Sequence, residues 1–183
     1  EQERQIIKTV PLLSNKPIIY AANLSEEDFS SDLEGNPFYR QVEEIAAAEH
    51  SAGLPICAKI EEDLAGMEPE EKKEFLADLG LEQSGLDRII QDSYALLGLI
   101  SFLTAGSDEC RAWTIKKGTK APQAAGKIHT DFEKGFIRAE VVSFDDLKEN
   151  GSMAAAREKG LVRLEGKDYV MQDGDIVNFR FHV

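Results

Sequence analysis

The chain has 183 residues, of which 42% are hydrophobic and 30% charged, and a formal net charge of −13. These values favour one large or two small globular domains over a disordered tail or a fibre. No apolar run reaches the roughly 18 residues of a membrane span, and residues 1–20 lack the layout of a signal peptide. We therefore expect a soluble cytoplasmic protein that makes no membrane contact. Its two cysteines, Cys57 and Cys110, are too few for a disulfide framework or a four-ligand zinc site.

The net negative charge of the chain comes entirely from its front part, residues 1–98. Residues 1–98 contain 21 acidic and 8 basic residues, a balance of −13, whereas residues 99–183 contain 13 of each and balance to zero. An acidic surface repels nucleic-acid phosphates, so the front part is an unfavourable nucleic-acid binder.

One stretch of the back part is basic. Between Cys110 and Thr130 there is no Asp or Glu, while five basic residues lie close to Trp113: Arg111, Lys116, Lys117, Lys120 and Lys127. The stretch is a candidate anion-binding surface for RNA or the ribosome. A solvated basic hairpin, paired with acids elsewhere in the fold, is the alternative interpretation. Trp113 fits either a stacking platform or a core anchor, and we favour the anchor.

The sequence pattern of the front part predicts alternating strands and helices. An apolar strand over residues 16–23, buried on both faces, precedes a helix with Asn36 as cap and Pro37 in its first turn. A second strand is predicted over residues 54–60, followed by helices over residues 68–79 and from Ser84 onward. The predicted apolar faces are Phe38, Val42, Ile45 and Ala46 in the first helix, and Leu86, Ile89, Ile90, Tyr94 and Leu97 in the last. This order predicts an α/β layer with parallel strands.

After Gly98 the pattern changes to short strands. They are predicted over residues 99–104, 111–115, 137–143 and 176–183, with a hairpin of residues 162–165 and 168–171 around Gly166-Lys167. One helix, opened by residues 119–122, interrupts them. A hairpin, a helix packed across it and further strands are typical of the ubiquitin-like β-grasp, an α+β fold. We therefore predict two domains, residues 1–98 and 99–183.

Polar residues follow both strands of the front part. Asn23 and Glu26 follow the first strand, and Cys57, Ala58 and Lys59 the second. Ligands of open α/β sheets bind beyond the carboxyl ends of the strands, so these residues are candidates for a site. Taken singly, an Asn that ends a strand and a Glu that caps a helix would explain each motif. The nearby acids Glu61, Glu62 and Asp63 lack EF-hand spacing and are interpreted as a solvated helix face.

In combination, these motifs resemble the Obg-like ATPase family, the YchF group of P-loop NTPases. Residues 16–26, KPIIYAANLSE, are similar to the family's NxxE motif, which stands where other GTPases have NKxD. Residues 57–61, CAKIE, are similar to its SAK motif, with Cys57 replacing the usual Ser. Residues 112–131 resemble its TGS domain, a β-grasp module. The resemblance covers nearly the whole chain.

The resemblance implies a purine nucleotide ligand, ATP or GTP, with ATP preferred. It assigns base recognition to five residues: Asn23, Leu24, Glu26, Ala58 and Lys59. Glu26 is one methylene longer than the Asp that reads guanine, Leu24 would accept from the adenine amino group through its carbonyl, and Asn23 would meet N7. Ala58 would offer its N–H near the base, and the stem of Lys59 would pack over it.

Other parts of the family pattern are missing. Neither Gly126-Lys127 nor Gly166-Lys167 fits the G-x-x-x-x-G-K-[ST] phosphate loop, and no DxxG segment for magnesium is present. The resemblance thus implies the C-terminal part of the nucleotide-binding domain followed by a TGS domain, with the Mg²⁺ ligands elsewhere and residues 1–15 ending an inserted helical domain. We expect this chain to have no catalytic residues and to be inactive alone. The alternative function is a stand-alone RNA- or ribosome-binding TGS module.

Overall fold

The computed structural model describes residues 10–31, 33–106 and 109–182. It divides into two compact units between Leu96 and Leu97. Residues 1–9, which the resemblance assigns to an inserted helical domain, lie outside the described residues, as does Val183 at the end of the last predicted strand. Within the described ranges, no helix combines the length and the apolar character needed to cross a bilayer.

The first unit contains a two-stranded parallel sheet and helices. Its elements are β1 (Ile19–Asn23), α1 (Glu26–Ser30), α2 (Pro37–Ala48), β2 (Ala52–Ile56), α3 (Ala58–Ala65), α4 (Pro69–Asp78) and α5 (Gly85–Leu97), together with 3-10 turns at Leu13–Asn15 and Leu33–Gly35. The two strands pair from Ile19 opposite Ala52 to Asn23 opposite Ile56. Both strands therefore end at the same edge, as parallel strands joined through a helix must.

The predicted helix starts are confirmed. The side chain of Asn36 accepts hydrogen bonds from the N–H groups of Phe38 and Tyr39, and Pro37 occupies the first turn of α2. The hydroxyl of Ser84 accepts from the N–H of Asp87 at 3.1 Å at the start of α5. These short polar side chains satisfy N–H groups that have no partner within their helices, which is why the sequence reveals them.

The predicted core face of α2 is partly wrong. Tyr39 and Ala46 are buried, whereas Phe38 and Ile45 are 75% and 51% exposed. The two pairs lie on neighbouring stripes of the same helix, and a period of 3.6 residues does not decide between stripes one position apart. Val42 is half-buried and lies between Tyr39 and Ala46 on the buried stripe.

Two strand predictions in this unit also need correction. β1 is half-exposed rather than buried on both faces, because β2 is its sole strand partner among the described residues. The second strand ends at Ile56, and the apolar residues beyond it belong to α3. Ile60 and Leu64 are buried four residues apart on that helix, so the apolar run reflected a helix face rather than a longer strand.

The second unit is a five-stranded mixed sheet with helices. Its elements are β3 (Leu99–Ala105), β4 (Cys110–Lys116), α6 (Ala121–Ile128), α7 (Thr130–Lys134), β5 (Phe136–Ser143), α8 (Phe144–Asn150), α9 (Met153–Glu158), β6 (Arg163–Glu165) and β7 (Asp175–Phe181). The strand order is β4-β3-β7-β5-β6. β3 pairs in parallel with β7 and antiparallel with β4, while β5 is antiparallel to both β6 and β7.

The core of this unit lies between α6 and one face of the sheet. Ala121, Ala124 and Ala125 are completely buried against strand residues that include Phe102 and Phe179. Small side chains on the inner face let the helix approach the sheet closely. The polar residues of α6 consequently face outward.

The predicted hairpin of the second unit is wrong. β6 pairs with β5, and Val170 forms an isolated bridge to Lys120 instead. The sequence also predicted one helix, whereas the described residues of this unit form four. His129 separates α6 from α7 and caps the latter, its Nδ1 accepting from the N–H of Asp131. Ser143 and Ser152 cap α8 and α9.

A buried carboxylate connects β7 to the loop before it. Asp175 is 2% exposed and accepts from the hydroxyl of Tyr169 at 2.8 Å and from the N–H of Gln172 at 2.9 Å. Arg163 lies 3.6 Å from its other oxygen. Burial, followed by this hydrogen bond, raises the pKa of Tyr169 to about 12, so the phenol keeps its proton at neutral pH.

We predict that Asp175→Ala lowers the free energy of unfolding of the second unit by about 2 kcal/mol, because it leaves the half-buried phenol of Tyr169 and the N–H of Gln172 without their acceptor. Asp168→Ala is the control, since that carboxylate is 94% exposed in its ion pair with Lys120 and its loss should have no measurable effect. Urea unfolding measures both. Equal stabilities of the two variants would contradict the role assigned to Asp175.

Candidate functional site

One hydrogen bond joins the two polar motifs of the first unit. The side-chain oxygen Oδ1 of Asn23, at the end of β1, accepts from the N–H of Ala58, at the start of α3, at 3.0 Å. The N–H of Leu24 donates to the carbonyl of Ile56 at 2.8 Å and extends the parallel ladder by one step. The sequence-predicted residues after the two strands therefore meet at one edge of the sheet. We call this edge the strand-end corner, defined by Asn23, Leu24, Glu26, Ala58 and Lys59.

Glu26 projects from the first turn of a short helix. Ser25 caps α1 by accepting from the N–H of Asp28 at 3.1 Å, which fixes the direction in which the chain leaves the corner. Glu26 is exposed. Among the described residues its carboxylate has no hydrogen-bond or ion-pair partner, so it is available to accept from a ligand.

Lys59 is exposed but held along its own helix. Its ammonium lies 3.1 Å from Asp63 and 3.3 Å from Glu62. The hydrogen bond to Asp63, followed by that to Glu62, raises the pKa of Lys59, so the group stays charged. These exposed contacts are weak and leave the aliphatic stem free to lie over a ligand.

Glu61 has a structural role that the local sequence pattern does not predict. Its two oxygens accept from the N–H of Gly85 at 2.7 Å and of Leu86 at 3.3 Å. A Cβ atom on Gly85 would lie only 3.0 Å from the Glu61 carboxylate, so the approach favours glycine. The interpretation of Glu61 as part of a solvated face is therefore wrong. A cap 24 residues away leaves no local signal in the sequence.

The corner retains donors and acceptors suited to a purine. With Oδ1 of Asn23 occupied, its amide NH₂ has no hydrogen bond to another described residue and can donate to a ring nitrogen. The carbonyl of Leu24 likewise receives no hydrogen bond from the described residues and can accept from an amino group. The N–H of Ala58, expected near the base, donates to Asn23 instead. No cluster of three His, Cys, Asp or Glu side chains suited to a metal occurs in the described part of the chain.

The basic residues of the second unit separate into distinct environments. The Arg111 guanidinium carbon lies 4.3 Å from the ring centroid of Trp113. That ring stacks against buried Phe102 at 6.5 Å and donates through Nε1 to Thr104 at 3.0 Å. These contacts favour the core-anchor interpretation of Trp113. Lys120 is paired with Asp168 at 2.7 Å.

Two of the five predicted basic residues share a groove. We call it the basic groove; it measures about 450 Å³ and is lined by Leu99, Thr114, Ile115, Lys116, Thr119, Gln123 and Lys127. Lys117 follows β4 and is exposed, but it does not line the groove. The structure thus brings Lys116 and Lys127 together and places Arg111 and Lys120 in other contacts.

We predict that Asn23→Ala and Asn23→Asp behave differently. The Asp variant keeps an acceptor for the Ala58 N–H, whereas the Ala variant removes it at a cost of about 1 kcal/mol. Hydrogen exchange of the Ala58 amide, followed by NMR, should therefore accelerate roughly fivefold in Asn23→Ala and change little in Asn23→Asp. Unchanged exchange in both variants would show that the bond does not hold the corner together.

Curated relatives cover the whole chain. It is 52% identical over 183 residues to the ribosome-binding ATPase YchF of Bacillus subtilis and 46% identical over 184 residues to the Obg-like ATPase 1 of Xenopus laevis. These alignments include 100% of this chain but 50% and 46% of the relatives. The chain thus spans about half the length of the curated relatives it matches.

Solved structures and a family model agree with these relatives. The structure of the Schizosaccharomyces pombe YchF GTPase matches with a TM-score of 0.84 and 39% identity, covering 98% of this chain and 47% of that one. A GTP-binding protein from Pyrococcus horikoshii OT3 matches with a TM-score of 0.61 and 26% identity, covering 92% of this chain and 46% of that one. The family model YchF-GTPase_C, described as a protein of unknown function (DUF933), matches residues 99–182. The resemblance read from the motifs is confirmed: the chain belongs to the YchF family of Obg-like ATPases and corresponds to its C-terminal part.

Proposed function

We propose that this chain is the purine-recognition and ribosome-contacting part of a nucleotide-hydrolysing protein, with the first unit reading the base. The observation that carries the first role is the hydrogen bond between Asn23 and Ala58. It brings two motifs 35 residues apart to one edge of the parallel sheet, where ligands of α/β folds bind. It also leaves the amide NH₂ of Asn23 and the carbonyl of Leu24 available to a purine.

The acidic residue at this corner favours ATP over GTP. Guanine presents N1–H and an amino group to a carboxylate at the position of Glu26, and the extra methylene of Glu moves its oxygens away from where an Asp would place them. Adenine needs no carboxylate, because its amino group can donate to the Leu24 carbonyl. The relatives are named both as an ATPase and as a GTPase, so the ratio of the affinities for ATP and GTP is the quantity to measure.

Hydrolysis requires groups that this sequence does not supply. The phosphate loop and the residues that bind Mg²⁺ would come from another part of the complete protein. When bound, Mg²⁺ neutralises charge on the phosphates. Apolar side chains of the first unit are consistent with a larger domain, since Leu86 and Ile90 lie four residues apart on α5 and are 55% and 48% exposed. Burying them would stabilise the complete nucleotide-binding domain.

The second unit supplies the contact with the ribosome. Its strand order, with α6 across one face, matches the β-grasp arrangement expected of a TGS domain, which supports residues 99–183 as that domain. Relatives carry the name ribosome-binding ATPase, and the basic groove is the surface best suited to ribosomal RNA. A ribosome partner in turn places the protein in the cytoplasm.

We predict that Glu26→Asp in the complete protein raises its affinity for GTP relative to ATP, because the shorter side chain restores the acceptor geometry that reads guanine. Glu27→Asp is the matched control, since Glu27 is the next residue of the same helical turn and is also exposed. Isothermal titration with ATP and GTP measures both affinities. An unchanged ratio in Glu26→Asp, or an equal shift in Glu27→Asp, would mean that Glu26 does not read the base.

A further inference from the structure

The basic groove lies at the free edge of β4. β4 is an edge strand of the sheet, so its outer edge has no strand partner among the described residues. Gln123 and Lys127 are four residues apart and project from the same face of that helix. The hydroxyl of Thr119 donates to the carbonyl of Lys116 at 2.6 Å and fixes the turn that separates strand and helix. The groove is therefore built by secondary structure rather than by a loose loop.

The lining combines an apolar floor with a positive rim. Leu99 and Ile115 provide the floor, and no acidic residue lines the groove. Lys116 and Lys127 form no ion pair with another described residue, whereas nearby Lys120 is neutralised by Asp168. Two uncompensated ammonium groups beside an apolar surface match a ligand that carries a phosphate next to a ring.

We propose that the basic groove binds one nucleotide of a single-stranded RNA. The ribose or base lies against Leu99 and Ile115, the adjoining phosphate lies between Lys116 and Lys127, and the Gln123 amide offers a donor and an acceptor to the base edge. This proposal rests on the proposed ribosome contact and specifies where RNA enters it.

The shape of the groove favours RNA over an acidic peptide. Its volume of about 450 Å³ is that of a pocket for a compact ligand, whereas a peptide added to the edge of β4 would run along the whole strand. The rim contains two lysines, which act as point charges toward phosphate.

The test measures RNA binding by the full chain. A fluorescein-labelled single-stranded RNA oligonucleotide is titrated by anisotropy at several salt concentrations with the wild type and with Lys116→Ala/Lys127→Ala. The double variant should bind more weakly, and its log–log salt dependence should flatten by about 0.7, the value for the loss of one phosphate contact. Lys120→Ala/Lys159→Ala removes the same charge outside the groove and should have a slope close to that of the wild type. Equal effects of the two double variants would overturn the proposal.

A second variant tests the groove without removing a side chain. Gln123→Glu keeps nearly the same volume and adds a negative charge at the third position of α6, where a carboxylate favours the helix. The melting temperature of this variant should therefore equal that of the wild type, whereas the added negative charge should weaken RNA binding. Unchanged RNA binding by this variant would contradict the proposal. Competition as strong as that of unlabelled RNA, either by free AMP or by an oligoglutamate peptide, would also overturn it.

Ribosome cosedimentation separates this inference from the proposed function. If the wild type and Lys116→Ala/Lys127→Ala sediment equally with ribosomes, the groove proposal fails and the ribosome contact stands. If the wild type does not sediment with ribosomes but binds the oligonucleotide through the groove, the ribosome contact fails and the groove proposal stands.

Discussion

The strand-end corner depends on the hydrogen bond from the Ala58 N–H to Asn23. Parallel strands need a long connection, so the loops that follow them are distant in sequence and are not positioned by local turns. Here a side chain from one loop accepts from the backbone of the other at 3.0 Å. The bond places Leu24, Glu26 and Lys59 at a common edge, and it commits one side of the Asn23 amide to structure while leaving the other for a ligand.

The same division between structure and binding occurs in the second unit. The inner face of α6 consists of alanines buried against the sheet, and this close packing brings its outer face to the edge of β4. Gln123 and Lys127 on that face then complete the basic groove with Lys116. Neighbouring basic residues that contact Trp113 or Asp168 are engaged within the fold. The charge pattern of the sequence does not distinguish these engaged residues from Lys116 and Lys127.

Local chemistry explains which features the sequence predicted. Asn36 and Ser84 mark helix starts because their side chains bond N–H groups two or three residues away. The cap that Glu61 provides for α5 was missed because its partner is distant along the chain. The buried stripe of α2 was misplaced because amphipathic period does not distinguish Phe38 from Tyr39. Local caps thus mark where α2 and α5 begin, while tertiary packing decides which face of a helix is buried.

The sequence predicted which residues lie at the candidate site but not all of the contacts that they form there. The strand-end rule and the family motifs selected residues that the structure places together, since Asn23 and Ala58 are in direct contact. Two contacts could not be predicted from the sequence: the hydrogen bond from the Ala58 N–H to Asn23 and the ion pair of Lys120 with Asp168. Each depends on the precise approach of segments that are far apart in sequence.

Base recognition at the strand-end corner is tested most directly by an experimental structure of the complete protein bound to a non-hydrolysable ATP analogue. We expect the adenine to lie within hydrogen-bonding distance of the Asn23 amide and the Leu24 carbonyl, while the Ala58 N–H still donates to Asn23. An adenine bound without contact to either residue would contradict the assignment of the strand-end corner to base recognition.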